Sequence, residues 1–147
     1  AHEFLEVVAM LKRQVGDISL TTDVIVGFPG ETEQDFADTC KLVREVGFTK
    51  IHVFRYSRRE GTPAASRTDQ IPAETKERRA HELSVLGDRL RIQYAQRHIG
   101  SHELVAVEQE GWGMTESYYK VRVDGFPQGA LVDVCLTGVD DAAIMRA

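Results

Sequence analysis

Apolar residues recur every three to four positions at the start of the chain, with Phe4, Val8, Leu11 and Val15 on one stripe and Gly16 behind them. This spacing predicts an amphipathic helix over His2 to Val15. The period then changes. Ile18 to Phe28 centres on the β-branched run Val24-Ile25-Val26 and reads as a strand buried on both faces, as in a parallel sheet. Pro29-Gly30 breaks it. Thr32 with Asp35 three residues later has capping-box spacing, so a second helix is expected to start near Glu33. Its apolar face is Phe36, Cys40, Val43 and Val46, and Gly47 ends it. Lys50 to Tyr56, rich in β-branched and aromatic residues, reads as another strand.

Helix, strand, helix, strand with short connections is the alternation of a parallel α/β unit. Two strands make neither a barrel nor a stable open sheet, so further strands are expected from outside this chain. Ser57 to Ile71 is a polar, basic loop, and a long helix is expected from Pro72 to about His98. Its buried stripe would be Leu83, Leu86, Leu90 and Tyr94, with Gly87 as a weak point. Past Gly100 the period falls to two. Leu104 to Glu108, Ser117 to Val123, Ala130 to Thr137 and Ala142 to Met145 read as short strands, with turns at Gly111-Trp-Gly113, Asp124-Gly125 and Gly138. The expected fold class is therefore α/β over residues 1–98 followed by a small all-β barrel over residues 99–147.

Composition refines this picture in two places. The 147 residues are 42% hydrophobic and 28% charged, ordinary for a globular chain able to bury a core without cross-links. Cys40 and Cys135 show no metal-ligand spacing, and the five histidines show none either; a reducing cytoplasm is the expected compartment. No apolar run approaches the ~20 residues that span a bilayer. The net charge of −5 is unevenly placed. Residues 101–147 hold Lys120, Arg122 and Arg146 against eight acids, whereas residues 1–100 balance 15 of the 18 Lys/Arg with 15 of the 23 Asp/Glu. Any nucleic-acid site in the tail must be a local patch.

The segment Asp23-Val-Ile-Val-Gly-Phe-Pro-Gly-Glu-Thr32 places backbone N–H groups and one carboxylate at the carboxyl edge of a parallel sheet, where α/β proteins bind ligands. Gly27 permits close approach by a flat ligand, and Glu31 could accept hydrogen bonds from an amine or hydroxyl. The same turn also occurs where nothing binds, with Glu31 merely complementing a helix dipole. The residues alone leave both readings open.

The wording of three segments goes further. Thr21-Thr-Asp-Val-Ile-Val-Gly-Phe-Pro-Gly-Glu-Thr32 resembles the fifth strand and following turn of the radical-SAM methylthiotransferases. His52-Val-Phe-Arg-Tyr-Ser-Arg-Arg-Glu-Gly-Thr-Pro-Ala-Ala65 resembles that family's sixth strand and loop, and Asp69-Gln-Ile-Pro72 fits its continuation. Met114-Thr-Glu-Ser-Tyr-Tyr-Lys-Val-Arg-Val123 resembles the second strand of the terminal TRAM domain, an OB-like RNA-binding barrel. The resemblance implies the late part of a partial (β/α) barrel that uses S-adenosylmethionine and [4Fe–4S] clusters to place a methylthio group on an unactivated carbon. It implies a chain beginning just before the fifth barrel strand. Such a chain lacks the cluster cysteines, should hold no cofactor by itself and should be inactive alone; the cluster-binding domains of the same protein would be its partners. Self-association through the cut barrel edge would be an artefact of truncation.

By the family pattern Ile25, Val26 and Gly27 would lie near the adenine or ribose of S-adenosylmethionine, with Glu31 beside them and Phe54, Arg55 and Tyr56 completing the wall. Alternate members of both strands are equally expected in the barrel core. Arg58 and Arg59 suit phosphate contacts. Strand alternation puts Tyr118, Lys120 and Arg122 on one face, to stack on a base and meet phosphates, and Tyr119, Val121 and Val123 on the other. Trp112 is a further stacking candidate. The expected partner is the tRNA anticodon stem-loop. Arg58-Arg59 after Tyr-Ser resembles the branch acting on N6-threonylcarbamoyladenosine. The branch acting on a ribosomal-protein aspartate tends to be acidic there, although the acidic tail would suit it. A non-catalytic RNA-binding module is a further alternative.

Overall fold

In the computed structural model, which describes residues 2–147, the N-terminal strands β1 (Thr21–Val26) and β2 (Lys50–Arg55) pair in parallel with Ile25 opposite Phe54. Helices α1 (His2–Val15), α2 (Glu33–Val46) and the first part of α3 (Ala73–Arg97) supply the core against them. The α2 boundaries follow from local chemistry. The Asp35 N–H donates to the Thr32 hydroxyl while the Thr32 N–H donates to the Asp35 carboxylate, closing the capping box. Gly47 ends the helix at φ 66°, returning its N–H to the Val43 carbonyl. Phe36, Cys40, Val43 and Val46 are all buried.

Two sequence expectations fail in this unit. The β-branched run is covered on one face only: Val26 is fully buried, whereas Ile25 and Phe54 are 55% and 52% exposed. The helices pack against one side of the two-stranded sheet, and the other is open around Ile25 and Phe54. In α1 the buried residue is Val8, with Leu5 packed beside it, and Phe4 and Val15 face outward. That helix meets the unit along a narrower stripe than its periodicity suggests. The loop after β2 holds a short 3-10 turn at Pro63–Ser66, capped by the Thr62 hydroxyl.

The second sheet has six strands in the order β6-β3-β4-β5-β8-β7: β3 (His102–Gln109), β4 (Trp112–Thr115), β5 (Lys120–Arg122), β6 (Leu131–Cys135), β7 (Gly138–Val139) and β8 (Met145–Arg146). Its edge strands β6 and β7 are joined by Leu136 and Thr137 alone, so the sheet must curl until its two edges meet. The curl encloses Val105, Val107, Val121, Val123, Leu136 and Met145. Of the expected turn Gly111-Trp-Gly113, only Gly111 is in it: Glu110 and Gly111, the latter at φ 72°, join β3 to β4, and Trp112 already begins the strand. Gly113 lies inside β4, where a side chain would collide with Val105 and with the Ala106 carbonyl. The glycine there serves close strand approach.

Helix α3 belongs to both cores. Leu83 is buried with the α/β unit, and Tyr94 and Ala95 are buried with the β unit. The Tyr94 ring stacks on Tyr119 at 5.8 Å, and the Tyr119 hydroxyl donates to the Arg91 carbonyl. No helix among the described residues is long and apolar enough to cross a membrane.

Candidate functional site

The turn after β1 is built around an ion pair that the sequence did not advertise. Gly27, at φ 70°, donates its N–H to Glu31 Oε2 at 2.6 Å. The same carboxylate receives Arg79 of α3, whose side chain is 3% exposed and also reaches Glu33 at 2.7 Å. Arg78 donates to Glu33 from the outside at 2.8 Å. These guanidiniums, Arg79 first, hold the Glu33 carboxyl below its ordinary value. Glu31 is thus turned inward onto the backbone it follows. Arg79 looked like one of many charges on a polar helix; only its place in the fold singles it out.

Gly27 also has a packing role. A side chain here would run into the aliphatic stem of Lys76, whose ammonium donates to the Tyr56 carbonyl at 3.2 Å and lies 5.2 Å from the Tyr56 ring. Phe28 meets that ring edge to face at 5.1 Å.

On the uncovered sheet face these elements border a cleft of about 780 Å³. Ile25, Phe54, Arg55, Tyr56 and Arg59 all line it, and so do Asp23 and Phe28, which the sequence reading passed over. Val26 points the other way, into the helix-side core. Arg58 is exposed outside the cleft. Arg67 is not free: it is paired with Asp69 against Gly30. The Tyr56 hydroxyl is buried without a hydrogen-bond partner, an arrangement a buried phenol seldom tolerates. An apolar wall of Ile25, Phe28 and Phe54 with Arg55, Arg59 and Asp23 beside it suits a flat heterocycle carrying charged appendages.

The β unit carries a second candidate surface. Trp112 stands opposite Arg122 on β5, and Lys120 and Arg122 both lie over its ring, at 4.3 and 4.6 Å. Arg146 pairs in register with Arg122, so all three cations of the acidic tail share one sheet face. Such an aromatic framed by cations suits base stacking and phosphate contact. Tyr118 does not join this face. The strand begins only at Lys120, and Tyr118 sits in the preceding turn at φ 64°, 78% exposed. The bend at Glu116 to Tyr118 interrupts the alternation on which that expectation rested.

No family model matches the chain. It is 42% identical over 146 residues to the tRNA-2-methylthio-N(6)-dimethylallyladenosine synthase of Bordetella pertussis, covering 93% of this chain and 33% of that protein. Proteins of the same name from Desulfitobacterium hafniense (39% identical, 90% of this chain and 32% of the relative) and Bacillus cereus (45% identical, 74% and 21%) are similar to it as well. The chain spans about a third or less of the length of these curated relatives. Their names specify a dimethylallyl adenosine and not the threonylcarbamoyl nucleoside expected from Tyr56-Ser-Arg-Arg59. The two arginines set the segment apart from an acidic one, but they carry no information about which group an adenosine bears on N6.

Proposed function

We propose that this chain is the C-terminal part of a radical-SAM methylthiotransferase that modifies tRNA, with an adenosine bearing an N6-dimethylallyl group as its substrate. The observation that carries this reading is the extent of the likeness. About 42% identity runs over 93% of the chain, through the strand–turn–helix segment and the cationic strand alike, to a relative named for that reaction.

The residues divide the work. Ile25 and Phe54 offer an apolar wall for an adenine, and Arg55 and Arg59 cations for a carboxylate. Arg79 and Glu31 hold the turn that closes one end of that wall. When bound, S-adenosylmethionine supplies the adenosyl group on which the family's radical chemistry depends. The described residues do not fit an iron–sulfur cluster. Cys40 is buried, Cys135 is exposed on β6, and no group of three or more His, Cys, Asp or Glu among the described residues is placed to hold a metal. Trp112 with Lys120, Arg122 and Arg146 would hold the RNA, and the remaining length of the relatives would supply the cluster-binding domains.

The test is expression of the full reading frame in a bacterial strain lacking its own methylthiotransferases, followed by mass spectrometry of tRNA nucleosides and ribosomal-protein peptides. A methylthio group on N6-dimethylallyladenosine is expected. The group appearing on a threonylcarbamoyl nucleoside or on a ribosomal-protein aspartate would overturn the reading.

A further inference from the structure

The acidic balance of the chain is reversed where its two units meet. A cleft of about 420 Å³ lies between the start of the parallel sheet, α3 and the β4–β5 turn. Its lining includes Lys50, His52 and Arg91 and not one carboxylate, in a chain of net charge −5. Neither Lys50 nor Arg91 has an ion-pair partner among the described residues.

Tyr118 lines this cleft from an unusual backbone position. A left-handed conformation is unfavourable for a bulky aromatic residue, and here the surroundings impose it. The Tyr118 N–H donates to the Thr115 carbonyl, and the Tyr119 N–H to the Thr115 hydroxyl. The Ser117 N–H donates to Glu103. That carboxylate is 5% exposed and lies 2.7 Å from His98 Nδ1, whose other ring nitrogen faces Asp17 at 3.1 Å. A turn tied down this firmly, presenting an exposed ring at a backbone cost, is the pattern of a residue kept for contact and not for packing. The cleft also continues onto the Trp112 face. Met114 lines it, and the cross-strand partner of Met114 is Lys120.

We propose that this cleft seats one nucleotide of single-stranded RNA, its base stacked on Tyr118 and its phosphate held by Lys50 and Arg91. The inference rests on the RNA-binding reading given above and adds a subsite to it. Stacking on an exposed aromatic ring, with cations beside it and no acid to repel a phosphate, is the chemistry by which unpaired nucleotides are held. The volume lies within the range of small-ligand sites.

The test uses the 147-residue chain and an RNA hairpin of anticodon-arm shape carrying 2-aminopurine at successive loop positions. Quenching at one position on binding is expected, and Tyr118→Phe should preserve it. Tyr118→Gly suits the left-handed turn, so it should leave the circular dichroism spectrum intact while abolishing the quench and weakening binding roughly tenfold. Lys50→Ala and Arg91→Ala should each weaken binding and lower its salt dependence. Binding that falls with Lys120→Ala and Arg122→Ala yet is unmoved by Tyr118→Gly and Arg91→Ala would overturn the subsite and leave the RNA reading standing. No hairpin binding at all would overturn both. A free mononucleotide that binds as tightly as the hairpin would show a site for small nucleotides and overturn the RNA assignment.

Discussion

Arg79 in the third helix and Glu31 in the turn after the first strand form a nearly buried ion pair, with both side chains no more than 12% exposed. Removing one member of such a pair strands the other away from water. Arg79→Ala should cost about 3 kcal/mol of stability, measured by urea unfolding. Glu31→Gln keeps an acceptor for the Gly27 N–H and should cost less. If S-adenosylmethionine binds on this wall, both variants should also weaken it in the full-length protein.

Gly27 combines a positive φ with the Lys76 stem lying across it. Gly27→Ala should cost about 1–2 kcal/mol from the backbone alone, plus the displacement of Lys76. The Lys76→Ala background should remove that second part, so the two substitutions should be less than additive in a double-mutant cycle. Strict additivity would mean that the two residues do not meet.

Stability should fall at both ends of the pH scale for separate reasons. The guanidiniums of Arg79 and then Arg78 depress Glu33 below its ordinary 4.5, and the Thr32 hydroxyl and then N–H depress Asp35 below 3.8. Groups depressed in the fold stabilise it above their unfolded values and lose that contribution as pH falls through the folded ones. The urea midpoint should therefore hold down to about pH 5 and drop below about pH 4. Arg79→Ala should flatten part of that drop.

At the alkaline end, burial and then Asp17 push the Tyr94 phenol up to about 12, and burial raises Tyr119 as well. The fold favours the neutral phenols, so this contribution is complete below their ordinary 10 and is lost as pH rises through the raised values. Part of the tyrosinate absorbance should therefore lag and appear together with loss of the dichroism signal. Tyr119→Phe should shrink that lagging part.

Lys120 and Arg122 meet across the Trp112 ring. If they neutralise RNA phosphates, Lys120→Ala and Arg122→Ala should each lower the slope of log K against log salt by roughly 0.7. Trp112 fluorescence should respond to RNA in the parent chain. Arg146→Ala, on the neighbouring strand, should behave likewise; an unchanged slope would place the RNA elsewhere.

What the sequence made legible was what is local. Thr32 and Asp35 signal a helix start by themselves, and the stripe Phe36, Cys40, Val43 and Val46 needs only its own spacing to declare a buried face. Ile25 and Phe54, register partners on adjacent strands, lie side by side on the cleft wall. The failures are non-local. Whether Ile25 is covered depends on elements that β-branching cannot reveal. Gly113 resembles a turn residue until Val105 and Ala106 are seen pressing on it. Arg79, His98 and Glu103 are unremarkable in sequence because their partners lie 46 residues away for Arg79 and Glu33 or on other elements for the rest. Charged groups of this kind acquire meaning only when folding brings an opposite charge to a place without water.

The shared helix makes the geometry of the whole chain a question of phase. Its 25 residues form a rod about 37 Å long, with Leu83 set in one core and Tyr94 in the other. Inserting one residue between them would lengthen the rod by only ~1.5 Å but turn one end about 100° against the other. The cleft wall at Phe54 and the cations around Trp112 would then be rotated relative to one another. The number of residues between Leu83 and Tyr94 is therefore an angular setting. An insertion there should leave both ends folded, with intact near- and far-UV dichroism, but with their mutual orientation changed.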